Sequence, residues 1–271
     1  MFQRLAIATL VWLAAAAATA QPLVEEVPFI TTPDNVTLEM LRIAEVGPQD
    51  FVIDLGSGDG RIVITAAKTF GARGLGVEIV GDLVRRSQAN AQRAGVAERV
   101  AFREQDIFVT SLAEATVITM YLLPEFNLKL RPSLLALAPG TRIVSHDWDM
   151  GDWQPDRSTV VSVPDKAVGL EKSSRVLMWR VPARVDGLWC AGPARLRIAQ
   201  TFQVARLRLD GAAPDPMVWA TRIDGVRIPA PADAPGQPTL QWRNGELVAE
   251  TPAPGLPAGT RFARAIDNRC P

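Results

Sequence analysis

The sequence has little histidine, little cysteine and no net charge, and each shortage argues against a class of function. One histidine and two cysteines occur in 271 residues. Zinc usually takes three or four such side chains as ligands, so a metal site has little support. Lys+Arg and Asp+Glu both number 29, which leaves no net field to attract nucleic acid. Nucleic acid is therefore not a favoured partner, although a local basic patch could still bind one.

The sequence also lacks an apolar run long enough to cross a bilayer, which takes roughly 20 residues. Arg4 precedes an uncharged apolar run from Leu5 to Ala18, and Ala18-Thr19-Ala20 supplies small residues for cleavage. This pattern predicts that residues 1–20 are a cleaved signal peptide rather than a retained membrane anchor. A mitochondrial presequence would be richer in arginine and serine. We expect an exported, periplasmic protein without a membrane span after cleavage.

Between Phe51 and about Val181, short β-branched runs alternate with longer helical patterns, which is typical of βα units on a parallel sheet. A further helix is expected over Leu38–Ile43, with Asp34 or Asn35 as its N-cap. The last two strands have no clear helix between them and should form a hairpin that closes the sheet. The predicted strands are 51–55, 74–78, 100–104, 116–121, 142–146, 160–163 and 176–181, and the predicted helices are 61–70, 81–94 and 126–137.

After Val181 the pattern changes to short alternating runs separated by Asp-Gly and Asn-Gly pairs. Such pairs suit tight hairpin turns because their central residues need positive φ. The sequence therefore predicts an α/β fold with helices on both faces of its sheet, followed by a small antiparallel β domain, a barrel or a sandwich. The predicted division is a signal peptide at 1–20, an α/β domain at 21–183 and a β-rich domain at 184–271.

A glycine-rich loop follows the first predicted strand and opens a helix. It runs Asp54-Leu55-Gly56-Ser57-Gly58-Asp59-Gly60, and its alternate glycines let the backbone turn sharply and a ligand approach closely. A dinucleotide site would want glycine one place later, where this chain has Arg61. A hydrolase nucleophile elbow, Gly-x-Ser-x-Gly, is also absent, since Ser57 alone separates two glycines. We assign Ser57 to a ligand-binding loop.

Acidic residues stand near the ends of three consecutive predicted strands. Asp54 lies in the first, Glu78 ends the second and Asp106 follows the third. The carboxyl ends of parallel strands meet at one edge, and an acid in the place of Glu78 meets ribose hydroxyls in Rossmann-type sites. Three carboxylates would repel a pyrophosphate but suit a cation. S-adenosylmethionine (SAM) carries a sulfonium and an ammonium and has no phosphate.

This pattern resembles the class I, Rossmann-like SAM-dependent methyltransferases. More narrowly, the stretch 54–64 is similar to bacterial relatives of the mitochondrial lysine methyltransferases that modify the ATP synthase c subunit. The resemblance covers roughly residues 28–181. It implies an enzyme with SAM as cofactor, in which Glu78 binds the ribose, the 56–60 loop passes under the methionine moiety and Asp106 lies near the adenine amine. The residues that match the family's acid-x-Gly-x-Gly-x-Gly pattern and its two later acids are Asp54, Gly56, Gly58, Gly60, Glu78 and Asp106.

The methyl acceptor, a protein or a small molecule, is expected near the end of the fourth strand. Tyr121, the only tyrosine, is a candidate catalytic residue there, and Pro124 and Glu125 are candidate substrate contacts. Both could instead have a structural role. The Tyr121 ring could pack at the strand end with its hydroxyl bonded to a backbone group, and Pro124 could simply begin a helix. A lysine acceptor, which only the resemblance favours, would have to lose a proton before attack, and a partly desolvated pocket lowers the pKa of an amine.

The other catalytic candidate is His146, which ends the fifth strand and is followed by Asp147-Trp148-Asp149. As a general base a histidine would be poised near neutral pH. A lone histidine at a strand end often caps the backbone instead.

An export signal and a SAM site conflict, because SAM is a cytosolic metabolite. The leading hypothesis is a methyltransferase. The alternative is an exported, catalytically silent binding module on a methyltransferase scaffold, in which the β domain makes the important contacts. Calorimetric titration with SAM would distinguish them, since absence of binding would leave only the second.

Cys190 and Cys270 stand near the two ends of the predicted β domain. In an exported protein such a pair is better explained as a disulfide than as catalytic or metal-binding thiols. Two buried free cysteines are the alternative. The bond requires the two Cα atoms to lie within about 7 Å of each other.

Overall fold

The computed structural model describes residues 30–167, 170–233, 236–267 and 269–270. The predicted signal peptide, residues 1–20, lies outside the described residues. The described chain forms two β-sheets, one of seven strands and one of eight. No helix in the described ranges is long and apolar enough to span a bilayer.

The first sheet has the order β3-β2-β1-β4-β5-β7-β6. Its first five strands run parallel, and β7 pairs antiparallel with both β5 and β6. The predicted parallel sheet and its closing hairpin are therefore confirmed. The strands are β1 Phe51–Leu55, β2 Arg73–Glu78, β3 Val100–Glu104, β4 Val117–Met120, β5 Arg142–His146, β6 Arg157–Ser162 and β7 Ser173–Arg180.

Helices cover both faces of this sheet. Successive strand residues point to opposite sides, and because both sets are apolar, each face needs a cover of helices. Val52 packs into the core beneath α1 and α2, while its neighbour Ile53 packs into the core on the α4 side. A smaller apolar cluster joins α2 and α3 to the β3 side. The helices are α1 Asp34–Ile43, α2 Arg61–Phe70, α3 Gly81–Arg93 and α4 Pro124–Leu135.

The expected start of α1 at Leu38 is wrong. The helix begins at Asp34, directly after Pro33, and no side chain caps it. Asp34 therefore lies inside the first turn, where a carboxylate is favoured by the helix dipole. Asn35 is not the N-cap either, and its Nδ2 donates instead to the Ser162 carbonyl at 2.8 Å.

The second sheet is wholly antiparallel, with the order β11-β10-β9-β8-β15-β14-β13-β12. It surrounds one apolar core that includes Trp189, Trp219 and Phe262. Its outermost strands come close together, since Thr221 Oγ1 donates to the Pro229 carbonyl at 2.8 Å. The strands are β8 Gly187–Ala191, β9 Ala194–Thr201, β10 Val204–Asp210, β11 Met217–Arg222, β12 Arg227–Ile228, β13 Leu240–Arg243, β14 Glu246–Ala249 and β15 Arg261–Arg264.

A disulfide joins Cys190 on β8 to Cys270, with the two Cα atoms 5.6 Å apart. The prediction of this bond is confirmed, and the alternative of two free thiols is wrong. The bond encloses a sequence separation of 80 residues that contains most of the second sheet.

The two sheets meet at the amino ends of the parallel strands. Arg180, opposite the start of β5, forms an ion pair with Asp224 at 3.2 Å. Asp156 accepts a bond from Arg222 at 2.8 Å, and the Phe202 ring stacks on Trp153 with centroids 6.0 Å apart. The second sheet thus lies at the edge opposite the glycine loop. The domain boundary expected between residues 183 and 184 stays a prediction.

Candidate active site

The glycine loop between β1 and α2 has a backbone that side chains would disturb. Gly56, Gly58 and Gly60 have φ values of 75°, 55° and 82°, which L-residues rarely adopt. A β-carbon at Gly56 would lie 2.9 Å from a Leu122 methyl carbon. The backbone N–H groups of Gly56 and Ser57 both donate to the Val77 carbonyl at 2.9 Å, which fixes the loop against β2.

The loop carries a buried polar atom without a partner. The Ser57 side chain is buried, and its Oγ makes no hydrogen bond within the described part of the chain. Buried hydroxyls are nearly always bonded, so such an atom needs an explanation. The Oγ faces β2, where a β-carbon at Gly76 would lie 2.6 Å from it, so the protein itself closes this hydroxyl off from a ligand lying on the loop.

Glu78 connects the end of β2 to the loop. Its Oε2 accepts from the Gly58 N–H at 3.0 Å, and its Oε1 accepts from the N–H groups of Ile79 at 2.9 Å and Val80 at 3.0 Å. A carboxylate has about four acceptor positions, so one remains for a ligand hydroxyl. Glu78 therefore has a structural role in the loop that the sequence pattern did not reveal.

Asp54 is buried within β1 and accepts from Thr119 Oγ1 on β4 at 2.7 Å. Burial raises the pKa of this carboxyl to about 7, and the charges of Glu78 and Asp59 also raise it, while the Thr119 bond opposes them. A cationic ligand beside it would favour the ionised form. The arrangement thus suits a sulfonium or an ammonium better than a phosphate.

Asp106 lies exposed at the same carboxyl edge. Its Oδ1 accepts from the Phe108 N–H at 2.8 Å, which caps a short 3₁₀ turn over Ile107–Val109. The structure therefore brings the three acids and the glycine loop to one edge of the sheet.

Polar side chains from α3 hold the loop from behind. Ser87 Oγ donates to the Gly58 carbonyl at 2.9 Å, and Asn90 Nδ2 donates to the Asp59 carbonyl at 2.8 Å. These residues were not predicted from the sequence. One feature of the sequence could have indicated Ser87: it lies on the buried face of an amphipathic helix, where a polar residue needs a hydrogen-bond partner.

Tyr121, just past the end of β4, and His146, the last residue of β5, stack on each other with ring centroids 3.9 Å apart and planes inclined by 29°. Both imidazole nitrogens have hydroxyl partners: Nε2 lies 2.9 Å from Ser174 Oγ, and Nδ1 lies 3.2 Å from Thr32 Oγ1. Burial lowers the pKa of His146 to about 4, against a smaller opposing effect of Asp147. The histidine is therefore neutral at neutral pH, and the expectation that it titrates there is wrong.

Asp147 organises the surroundings of this aromatic pair. It has a φ of 63°, a strained value for a residue other than glycine. Its Oδ2 accepts from Lys166 Nζ at 2.8 Å, and its Oδ1 accepts from the Arg175 N–H at 2.8 Å. Burial raises the pKa of Tyr121, and the charge of Asp147 adds to the effect, so the phenol stays protonated. No sequence spacing indicated this cluster.

The two substrate candidates lie at the start of α4. Pro124 occupies the first turn of the helix, which is the structural role considered for it, and Glu125 is exposed beside it. Asn127 Nδ2 ties α4 to the segment after β5 by donating to the Trp148 carbonyl at 3.1 Å. Leu123 and Trp148 are 39% and 41% exposed, so this edge has an apolar rim.

Comparison with known proteins gives matches to the first sheet. A family model described as the ANTKMT methyltransferase domain matches residues 54–157. A protein-lysine N-methyltransferase of Saccharolobus islandicus (strain REY15A) is 44% identical over 144 residues, which are 52% of this chain and 88% of that protein. A lysine N-methyltransferase of the ATP synthase c subunit, from Mus musculus, is 32% identical over 135 residues, 49% of this chain. The chain covers 53% of that mouse protein, about half of its length.

A solved structure is also similar to this chain. The crystal structure of an RNA methyltransferase from Salinibacter ruber in complex with S-adenosyl-L-homocysteine has a TM-score of 0.52 and 50% sequence identity. The match covers 58% of this chain and 96% of that one. S-adenosyl-L-homocysteine is the molecule that SAM becomes once its methyl group has been transferred.

Proposed function

This chain belongs to the family of class I SAM-dependent methyltransferases that includes these protein-lysine N-methyltransferases, and on that premise we propose that it methylates a lysine side chain of a protein. SAM is its cofactor, as predicted. The observation that carries the proposed acceptor is the 44% identity to a protein-lysine methyltransferase over 88% of that relative's length.

We propose that the residues at the carboxyl edge hold SAM in the way that the family pattern implies. Glu78 accepts from a ribose hydroxyl at its remaining acceptor position, the glycine loop passes under the methionine moiety, and Asp106 lies near the adenine amine. In its ionised form the carboxyl of Asp54 adds negative charge beside the loop, which suits the cationic cofactor. When bound, SAM supplies a methyl group activated by its positive sulfur.

On the acceptor side, Tyr121 is the proposed catalytic residue. Its protonated phenol oxygen accepts an N–H of the neutral lysine amine, which leaves the nitrogen lone pair free for in-line attack. His146 is a positioning residue in this proposal, since its buried ring supports the Tyr121 ring at 3.9 Å. The apolar side chains of Leu123 and Trp148 partly desolvate the amine, which lowers its pKa and favours the neutral form.

We also propose that the protein works outside the cytosol, in the periplasm. Two observations support this: the signal-peptide pattern of residues 1–20 and the Cys190–Cys270 disulfide. Disulfides persist in oxidising compartments and are rare in the cytosol. Mass spectrometry of protein released from the native host by osmotic shock should find a chain that begins near Gln21, whereas an intact Met1 in the cytosolic fraction would contradict export.

The function is tested with purified protein, isotopically labelled SAM and a protein extract of the native host. We expect label in methyl-lysine after hydrolysis of the extract. Glu78→Gln keeps the size of the side chain but removes its charge. It should weaken SAM binding by between about tenfold and about a hundredfold, since a hydrogen bond to a charged group contributes about 1.5 to 3 kcal/mol. Glu98→Gln, an exposed carboxylate away from the loop, is the matched control.

Three results would count against this function. Label found only in small molecules would remove the protein acceptor. Normal SAM affinity in Glu78→Gln would remove that residue from the site. Calorimetry without any SAM binding by the folded protein would favour the silent binding module.

A further inference from the structure

Four arginines share the outer face of two neighbouring strands in the second sheet. Arg195 and Arg197 on β9, and Arg206 and Arg208 on β10, are exposed and alternate with buried residues. Residues two apart on a strand point to the same side of the sheet. The four guanidinium groups therefore project from one surface, which we call the arginine face.

The pairing of the two strands places like charges on this face close together, so they repel each other when no ligand is bound. Arg208 lies directly opposite Arg197, and like charges in that position destabilise a sheet. Asp210 pairs with Arg208 at 2.9 Å and stands opposite Arg195. Within the described residues, no salt bridge involves Arg195, Arg197 or Arg206. The face thus keeps an excess of positive charge, although the whole chain has none.

Between the arginines lies a shallow apolar groove of about 340 Å³. Arg197, Arg206 and Arg208 line it together with Ala199 and Val218, and none of the residues that line it is aromatic. The Val218 side chain is 62% exposed, which is high for an aliphatic residue on a strand.

We propose that the arginine face docks on an anionic phospholipid bilayer. Arginine binds phosphate through paired N–H groups, and clustered basic residues are attracted to anionic lipid surfaces. Exposed aliphatic side chains among them gain by entering the headgroup region. Single-stranded nucleic acid is less well matched, because its recognition relies on aromatic side chains for base stacking. The proposal is independent of methyl transfer.

The experiment is co-sedimentation of the purified protein with vesicles of phosphatidylcholine alone and of phosphatidylcholine mixed with phosphatidylglycerol. We expect binding only to the mixed vesicles, with loss at high salt. The double variant Arg197→Gln/Arg206→Gln should bind them about thirtyfold more weakly, since it loses two cationic contacts with the lipid surface. The matched control, Arg243→Gln/Arg261→Gln, removes two exposed arginines from β13 and β15 and should bind as wild type does.

All variants are checked by circular dichroism and SAM affinity, which this face should not influence. Equal vesicle binding by the two double variants would overturn the proposal, as would the absence of binding to phosphatidylglycerol. A single-stranded RNA that competes with the vesicles and binds more tightly would instead identify a nucleic-acid surface, and would also overturn it. Absence of methylation by a protein that still binds vesicles would contradict the proposed function and would support the membrane proposal.

Discussion

The buried carboxyl of Asp54 should couple SAM binding to the release of a proton. Burial raises its pKa from 3.8 to about 7. In the free protein at pH 6, roughly nine in ten Asp54 side chains are then protonated, and at pH 8 roughly one in ten. If the proposed site places the SAM sulfonium beside Asp54, the ionised carboxylate is favoured and binding below pH 7 expels the proton.

The size of the effect follows from these populations. If the bound cation returns the pKa of Asp54 to near its ordinary value, SAM affinity should rise about tenfold between pH 6 and pH 8 and level off above that. Asp54→Asn cannot titrate, and its SAM affinity should be nearly constant over this range.

The pH dependence of the free energy of unfolding is a poor measure of the Asp54 pKa. The raised pKa of Asp54 means that the folded state binds its proton more tightly than the unfolded chain does, so the free energy of unfolding falls as pH rises from 3.8 to about 7. The pKa of His146, lowered from 6.5 to about 4, acts in the opposite direction: stability rises between pH 4 and 6.5. The two slopes largely cancel where they overlap.

Isothermal titration calorimetry with SAM avoids this cancellation. Repeating the titration near pH 6 in two buffers with different ionisation enthalpies counts the released protons, and we expect almost one in wild type and none in Asp54→Asn. Equal affinity at pH 6 and pH 8, or proton release that persists in Asp54→Asn, would refute the reasoning.

Three further predictions concern the loop, the acceptor side and the disulfide. Gly58→Val should abolish SAM binding in calorimetry, because φ is 55° there and the side chain enters the ligand's space, whereas Gly47→Val, where a β-carbon meets nothing within 4 Å, should bind normally. Tyr121→Phe should lower kcat about a hundredfold with little change in KM for SAM, because the amine loses its alignment with the methyl group, and an unchanged kcat would remove the phenol from catalysis. The double variant Cys190→Ser/Cys270→Ser should lose about 4 kcal/mol of unfolding free energy in urea titration, and reduced wild type should match it.

The sequence predicted features that depend on local pattern. The loop Asp54–Gly60 and the strand ends at Glu78 and His146 were located correctly, because alternate glycines and β-branched runs reflect local backbone requirements. The start of α1 was missed, since its first turn, after Pro33, lacks a side-chain cap.

Contacts between distant segments had no signal in the sequence. His146 bonds to Thr32 across 114 residues, and the bonds of Glu78 to the Gly58 N–H depend on how β1 and β2 pair. The same holds for the low pKa of His146, which comes from burial at the strand end. Composition and spacing identify which residue types are present, whereas packing decides their protonation and partners.

The placement of β15 between β8 and β14 has a consequence for how the second sheet is made. Ala263 pairs with Cys190, so two adjacent central strands are the first and the last strand of this sheet along the chain. Contacts so distant in sequence slow folding, because the loop must close before the pairing is gained. Until β15 inserts, β8 and β14 are both open edges, and open edges pair readily with other chains. Refolding of this half should therefore be slow and should lose yield as protein concentration rises.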